Sequence, residues 1–178
     1  MKDLDERVVY SAPAYQGKLV DLYLETVELP DGQQSLREIV RHPGAVAVVP
    51  LLGEDVLLVR QYRVAARAAT LEIPAGTLDP DEAPDQAAAR ELQEEIGYRP
   101  GTLTRLGGEY TAPGYTTEFI HLYLAQDLTA SQLTGDADEF IEVVRLPFAE
   151  ALQRVLDGEI QEGKTQLGLL LTAHRLRA

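Results

Sequence analysis

The stretch from Gly76 to Tyr98, GTLDPDEAPDQAAARELQEEIGY, constrains this chain more than any other part of it. Its alanine-rich second half predicts a helix. Glu91 and Glu95 are four residues apart, so on a helix they project from one face, and Glu94 lies beside them. Like charges at this spacing repel each other, and a divalent cation would neutralise them. Carboxylate oxygens on one helical face suit Mg²⁺ or Mn²⁺.

This stretch resembles the Nudix box, a G-x5-E-x7-R-E-U-x-E-E-x-G-U pattern in which U is a bulky apolar residue. Leu92 occupies the first U position. Tyr98 occupies the last, where aliphatic residues are usual. The simpler alternative for such a charge run is a solvated acidic helix face. The remaining fixed positions all match, at Gly76, Glu82, Arg90, Glu91, Glu94, Glu95 and Gly97.

Composition limits the partners of this chain. A length of 178 residues fits one domain with a substantial core. The net charge of −13 argues against nonspecific binding to nucleic acid or to an anionic membrane. It also repels phosphate substrates, so bound metals and local arginines would have to reverse the sign within a site. The chain has no cysteine, no apolar signal segment and no apolar run of membrane-span length, so we expect a cytoplasmic protein.

The order of apolar segments predicts an α+β fold. Strands are expected at KLVDLYLETVELP and SLREIVRHP, joined by an Asp31-Gly32 turn, and then at GAVAVVPLL, VLLVRQYR, LEIPAG, LTRLGGEY, FIHLYLA and EFIEVVRL. Pro84 is a plausible first helical residue and Gly97 a natural helix stop. Two amphipathic helices, PFAEALQRVLDG and TQLGLLLTAHRL, end the chain. The resemblance implies a Nudix-type α/β/α sandwich with a mixed sheet over residues 42–178, preceded by an N-terminal antiparallel strand extension over residues 1–41.

The resemblance also assigns roles within the box. It implies that Glu91 and Glu95 are the primary metal ligands, that Glu94 joins through metal or water, and that the main-chain carbonyl of Ala75 adds a ligand. Arg90 would orient the glutamates, or act as a helical i,i+4 partner of Glu94, or both. We expect Glu82 to hold the loop rather than touch metal.

Residues around the box resemble the ADP-ribose pyrophosphatase branch of the family. The segments VRQYR and LEIPAG precede the box, and EYTAPGYTTEFIHLYLA follows it. By this resemblance Arg63 grips substrate phosphate. The other positions implied to bind substrate are Arg37, Glu38, Lys18, Gly114 and Glu118, with Tyr15 beside Lys18 in the N-terminal strands.

An acidic segment, Asp136-Ala137-Asp138-Glu139, precedes the predicted strand EFIEVVRL. In this branch a mobile acidic loop at this place supplies a catalytic glutamate and a further metal ligand. The usual pattern has two glutamates one residue apart, and here the earlier position is Ala137. We therefore expect Glu139 to be the general base and a metal ligand, with Glu118 as the second candidate. A solvated turn is the simpler interpretation.

The leading functional prediction is a homodimeric pyrophosphatase that hydrolyses ADP-ribose to AMP and ribose 5-phosphate. It would use Mg²⁺ or Mn²⁺, with two or three ions per site. Its partners would be a nucleotide sugar and a second copy of itself, joined by exchange of the N-terminal strands, with no nucleic acid and no membrane. One alternative is the same chemistry on another nucleotide sugar such as GDP-mannose. An alternative of a different class is a non-catalytic Nudix-fold nucleotide-sensing module, for which a degraded box would be expected.

Overall fold

The structure is a computed structural model that describes residues 4–135 and 140–177. It contains two compact units. One comprises Met1–Gly44 and Tyr110–Phe119, and the other comprises Ala45–Glu109 and Ile120–Ala178. Among the described helices, none is both long and apolar enough to cross a membrane.

The first unit is a three-stranded antiparallel sheet in which the second strand is central. The predicted Asp31-Gly32 turn joins its last two strands. Gly32 has φ +85° and donates its N–H to the carbonyl oxygen of Leu29 at 2.8 Å. This left-handed conformation favours glycine. The strands are β1 (Arg7–Gln16), β2 (Asp21–Glu28) and β3 (Gln34–Arg41).

One predicted strand boundary is wrong. Lys18 lies in a turn between β1 and β2, not in a strand. The backbone N–H of Gly17 donates to the carbonyl oxygen of Val20 at 3.1 Å and to Oδ1 of Asp21 at 3.2 Å. These bonds close the turn, so the strand begins at Asp21.

The segment 110–119 is attached to the end of β3 within the same unit. The N–H of Val40 donates to the carbonyl oxygen of Tyr115 at 2.7 Å, and the N–H of Thr117 donates to the carbonyl oxygen of Val40 at 3.0 Å. The N–H of His42 donates to Oγ1 of Thr117 at 3.0 Å. These bonds hold the loop that carries Gly114 against β3.

The second unit is built on a mixed sheet, as predicted. The strands of this unit are β4 (Ala45–Leu52), β5 (Asp55–Arg63), β6 (Ala68–Glu72), β7 (Ala75–Thr77), β8 (Tyr98–Arg99), β9 (Thr102–Tyr110), β10 (Phe119–Gln126), β11 (Thr129–Ala130) and β12 (Glu142–Pro147); the helices are α1 (Pro84–Glu95), α2 (Phe148–Leu156) and α3 (Gly163–Arg177). The main path of the sheet runs β12-β5-β4-β10-β9, with β6 on β5 and β7 on β4. The pair β4–β10 is parallel, whereas β4–β5, β4–β7, β5–β6 and β5–β12 are antiparallel.

Helices cover both faces of this sheet, which confirms the α/β/α sandwich. Successive side chains of a strand point to opposite faces. Ala47 and Val49 of β4 accordingly join a buried cluster with Leu169 of α3, whereas Val48 joins a second cluster with Leu92 of α1. A strand buried on both faces reads as a continuous apolar run, which is how GAVAVVPLL appears in the sequence.

Most of the remaining differences from the predicted elements lie at boundaries. LEIPAG is not one strand, because β6 ends at Glu72 and β7 begins at Ala75. The break falls at Pro74, which has no N–H, and its carbonyl accepts the N–H of Val48 at 2.9 Å. The last strand begins at Glu142, and α3 begins at Gly163, two residues before the predicted TQLGLLLTAHRL. The short pair β8–β11 was not predicted, whereas the start of α1 at Pro84 was.

Candidate active site

Helix α1 carries the acidic cluster. Ala87, Ala88 and Leu92 are fully buried against the sheet, and this packing fixes the rotation of the helix about its axis. Glu91 projects from the neighbouring turn and is only 8% exposed. Burying a carboxylate is costly unless a cation or hydrogen-bond donors compensate it.

Arg90 supplies that compensation. Its Nη1 donates to Oε1 of Glu91 at 2.6 Å and to Oε2 of Glu94 at 2.8 Å. Its Nε and Nη2 donate to the two carboxylate oxygens of Glu82, both at 2.9 Å, and Nη2 also reaches the carbonyl oxygen of Thr77 at 3.3 Å. Arg90 is thus the i,i+4 partner of Glu94, and it contacts two of the glutamates that it is predicted to orient.

Glu82 holds the loop before α1. One of its oxygens accepts the N–H of Asp79 at 3.2 Å, and the carboxylate forms a bidentate pair with Arg90. The Arg90 hydrogen bonds lower the pKa of Glu82, and the Glu82 hydrogen bonds in turn raise the pKa of Arg90. These contacts agree with the expectation that Glu82 holds the loop.

The segment from Glu72 to Ala75 is anchored at every residue. Glu72 is fixed through its side chain. The N–H of Ile73 donates to Oγ1 of Thr165 on α3 at 2.9 Å, and the carbonyl of Pro74 is bound by β4. The N–H of Ala75 donates to Oε2 of Glu95 at 3.0 Å. Ala75, whose carbonyl is a predicted ligand, is therefore joined through its N–H to one predicted carboxylate ligand.

Gly76 allows β7 to lie directly against α1. A Cβ atom built at this position would overlap the carboxylate of Glu91. No side chain fits there unless Glu91 moves. The requirement for glycine at this position is therefore a requirement for close approach rather than for an unusual backbone angle.

The donor set fits an oxygen-ligated divalent cation. Among the described residues, no group of three or more His, Cys, Asp or Glu side chains is gathered closely enough to hold a metal ion by itself. Mg²⁺ does not require such a group, because it usually keeps several waters and takes one or two carboxylates together with substrate phosphates. Glu91 and Glu94 already share one cationic group, Nη1 of Arg90. Glu91, Glu94, Glu95 and the Ala75 carbonyl are the residues that would hold the metal.

A second charged cluster in this unit surrounds Glu72, which is 1% exposed. Arg63 pairs with it from the end of β5, through Nε at 2.8 Å and Nη2 at 2.7 Å. Nζ of Lys164 on α3 donates to Glu72 at 2.6 Å, and Oγ1 of Thr70 donates at 2.6 Å. Burial raises the pKa of Glu72, but the bonds from Arg63 and Lys164 outweigh burial and bring it to about 2.

The other predicted substrate residues lie in the first unit. Arg37 forms a bidentate pair with Glu6, at 2.9 and 2.7 Å, and the next residue of β3 is Glu38. Oε2 of Glu118 accepts the hydroxyl of Thr111 at 2.9 Å, and Oε1 lies 3.8 Å from Nε2 of His42. Lys18 is in the turn before β2, and Gly114 is in the loop before β10.

The structure brings the predicted residues of the second unit's acidic cluster into contact with one another. Within the second unit it joins Arg90, Glu91 and Glu94 directly, and Glu95 to Ala75. Glu139, the first candidate for the general base and a predicted metal ligand, lies outside the described residues.

Residues 41–166, more than two thirds of the chain, match the NUDIX domain. The chain belongs to the Nudix family. It is therefore a Nudix hydrolase, and the predicted box coincides with the loop and helix that hold Glu91, Glu94 and Glu95.

Three relatives and one solved structure resemble this Nudix hydrolase. The ADP-ribose pyrophosphatase of Bacillus subtilis (strain 168) is 42% identical over 168 residues, 93% of this chain and 91% of that protein. The methanol dehydrogenase activator of Bacillus methanolicus is 40% identical over 171 residues, 94% and 92% of the two chains. The GDP-mannose pyrophosphatase of Klebsiella pneumoniae is 42% identical over 120 residues, 62% and 60%. A crystal structure described as an ADP compounds hydrolase superposes with a TM-score of 0.88 at 27% identity, covering 99% of this chain and 97% of the other.

Three residues of the second charged cluster of this Nudix hydrolase, Glu72, Thr70 and Lys164, were not predicted from the sequence. The first of these had a signal, because Glu72 is the single charged residue in the segment LEIPAG. A charge inside a short apolar strand needs a buried partner. Nothing local pointed to Lys164, because it lies 92 residues further along the chain.

Proposed function

We propose that this Nudix hydrolase cleaves the pyrophosphate bond of ADP-ribose, giving AMP and ribose 5-phosphate. The observation that carries the chemistry is the row of glutamates on α1, in which Arg90 binds Glu91 and Glu94 while Glu95 accepts the N–H of Ala75 on β7. The substrate rests on the likeness, over more than nine tenths of both chains, to an ADP-ribose pyrophosphatase.

The cofactor in this proposal is Mg²⁺ or Mn²⁺, with two or three ions per site. When bound, such ions would neutralise the phosphate oxygens and lower the pKa of a bound water. Glu91, Glu94, Glu95 and the carbonyl of Ala75 would hold them. Arg90 keeps Glu91 and Glu94 in place before any metal arrives, and its positive charge offsets their mutual repulsion.

We assign the remaining site residues as follows. Arg63, whose side chain is 42% exposed, donates to the substrate pyrophosphate. Glu139 is the first candidate for the general base and Glu118 the second. Arg37, Glu38, Lys18, Gly114 and Glu118 contribute to substrate binding.

Self-association is a further part of the proposal. Residues 1–41 would exchange with a second copy of the chain, while residues 42–178 form the hydrolase domain. The apolar side chain of Val27 on β2 is already buried within the chain, so strand exchange is not needed to cover it. Exposed apolar side chains on β1 and β3 include Val8, Tyr10, Tyr15 and Leu36. They give the sheet a surface that a second copy would cover. We expect the enzyme in the cytoplasm, with no nucleic-acid or membrane partner.

GDP-mannose is the second candidate substrate, because a GDP-mannose pyrophosphatase aligns with part of this chain. A sensing module without catalysis is a third alternative, and the support for it is a relative named as a methanol dehydrogenase activator. The intact box favours catalysis over that alternative.

A substrate panel tests the proposal. ADP-ribose, GDP-mannose, other nucleotide sugars and nucleoside triphosphates are each assayed with Mg²⁺ and with Mn²⁺, and products are read as phosphate released after phosphatase treatment. We expect the highest kcat/KM for ADP-ribose, and AMP and ribose 5-phosphate as products by chromatography. A triphosphate with a larger kcat/KM than every nucleotide sugar would contradict the proposal. Binding of nucleotide sugars without hydrolysis would favour the sensing module.

A further inference from the structure

A carboxylate inside the second unit is bound by more groups than burial requires. Glu72 is 1% exposed and accepts four hydrogen bonds, two from Arg63 and one each from Thr70 and Lys164. One cation would compensate the buried charge, and here two cations share it. The arrangement therefore calls for a reason other than the neutralisation of Glu72.

The geometry of Arg63 supplies that reason. Glu72 binds Nε and Nη2, which lie on one side of the planar guanidinium, so the pair fixes the plane of the group and not only its position. These bonds do not involve Nη1. The Glu72 bonds raise the pKa of Arg63, and attraction from Glu95 and Glu162 raises it further, so one glutamate of α1, Glu95, is among the charges that act on the guanidinium.

Lys164 binds the same carboxylate from another element, α3. It lies at the start of α3, where Glu162 accepts the backbone N–H of Thr165 at 2.9 Å and lies 3.1 Å from Nζ of Lys164. Both Lys164 and Nη2 of Arg63 donate to the same oxygen, Oε2 of Glu72. The carboxylate is therefore clamped between β5 and α3, and it cannot turn without breaking a charge-assisted bond.

We propose that Glu72 is a positioning residue for hydrolysis: it aims Arg63 at the substrate pyrophosphate, and Lys164 and Thr70 keep Glu72 itself from turning. The inference rests on the proposed function, because it requires Arg63 to contact the pyrophosphate. A carboxylate that served only to stabilise the fold would not need to fix the plane of a half-exposed arginine.

A double-mutant cycle separates positioning from stability. The variants are Glu72→Gln, Arg63→Ala and the double variant, with kcat and KM for ADP-ribose and the melting temperature measured for each. We expect Arg63→Ala to lower kcat/KM by about 10- to 100-fold, the loss of charge-assisted bonds to a phosphate. Glu72→Gln alone should lower kcat/KM by about 10-fold, and it should cause no further loss when Arg63 is already absent. Arg63→Lys should behave like Arg63→Ala, because an ammonium cannot form the side-on pair.

A matched control comes from the other end of β5. Asp55 is the first residue of that strand, whereas Arg63 is the last, and Asp55 pairs with Arg145 at 2.6 Å. Asp55→Asn should leave KM unchanged. If Glu72→Gln does not fold, Thr70→Val removes the hydroxyl bond to Glu72 and a longer contact with the carbonyl of Gln61, and it should raise KM a few-fold while both ion pairs of Glu72 remain.

The results that would overturn the inference are specific. Equal losses from Glu72→Gln in both backgrounds, or a lower melting temperature with unchanged kcat/KM, would make Glu72 purely structural. Full activity in Arg63→Ala would overturn the inference and leave nucleotide-sugar hydrolysis in place. Failure of the unaltered protein to hydrolyse any nucleotide sugar would overturn the proposed function instead.

Discussion

Replacing Gly76 with alanine should disable the metal site without altering any ligand. The added Cβ would overlap the carboxylate of Glu91, which is held by Arg90 at 2.6 Å. Either Glu91 turns away and breaks that bond, or β7 moves off α1 and takes the carbonyl of Ala75 with it. Both outcomes separate two of the predicted metal ligands.

The size of the effect follows from these contacts. Overpacking at a tight site costs about 1–3 kcal/mol of folding stability, and losing a charge-assisted bond adds about 1.5–3 kcal/mol if Glu91 turns. Together these terms come to about 2.5–6 kcal/mol, and at roughly 2–4 °C per kcal/mol for a chain of this length the melting temperature should fall by about 5–24 °C. Misplacing one ligand should remove about 3 kcal/mol of transition-state stabilisation, close to a hundredfold in rate.

The assay is the dependence of kcat on Mg²⁺ concentration, with calorimetric melting as a second measurement. Gly76→Ala should raise the Mg²⁺ concentration that gives half-maximal rate as well as lower kcat. Gly163→Ala is the matched control, because a Cβ at the start of α3 meets nothing within 4 Å. A Gly76→Ala variant with unchanged kcat and Mg²⁺ dependence would refute the contact between Gly76 and the metal-binding face.

Three further predictions concern the metal, acid stability and assembly. Chelation should abolish activity, and Glu95→Gln should reduce kcat by roughly a thousandfold or more, so undiminished turnover in that variant would contradict the metal-ligand assignment. The bonds from Arg63 and Lys164 outweigh burial and lower the pKa of Glu72 from its usual 4.5 to about 2. The ionised Glu72 carboxylate therefore stabilises the fold fully above pH 4.5, and this stabilisation is lost as the pH falls towards 2. Urea melts at pH 5, 4 and 3 should therefore show the stability gap between the native protein and Glu72→Gln narrowing, and a constant gap would count against this pKa. Deleting residues 1–34 should abolish both dimerisation and hydrolysis; light scattering that finds a fully active monomer of the intact chain would rule out a shared site.

The sequence was sufficient where local chemistry decides the outcome. Pro84 begins α1 because proline fits the first helical turn, and Gly32 forms the predicted hairpin turn because it adopts φ +85°. The continuous apolar run of β4 is typical of a strand buried on both faces, and the spacing of the box predicted that Glu91 and Glu94 share one helix face. These features depend on residues close together along the chain.

Tertiary structure decided everything that depends on residues far apart along the chain. Pro74 splits LEIPAG into two strands only because β6 pairs with β5 and β7 pairs with β4. The residues next to Glu72 in the sequence do not indicate that Lys164 pairs with it, because Lys164 reaches Glu72 only when α3 packs on the sheet. The overlap that requires glycine at position 76 likewise appears only when β7 lies against Glu91 of α1. Such contacts follow from tertiary packing, which brings together residues that are far apart in the sequence and that no local pattern connects.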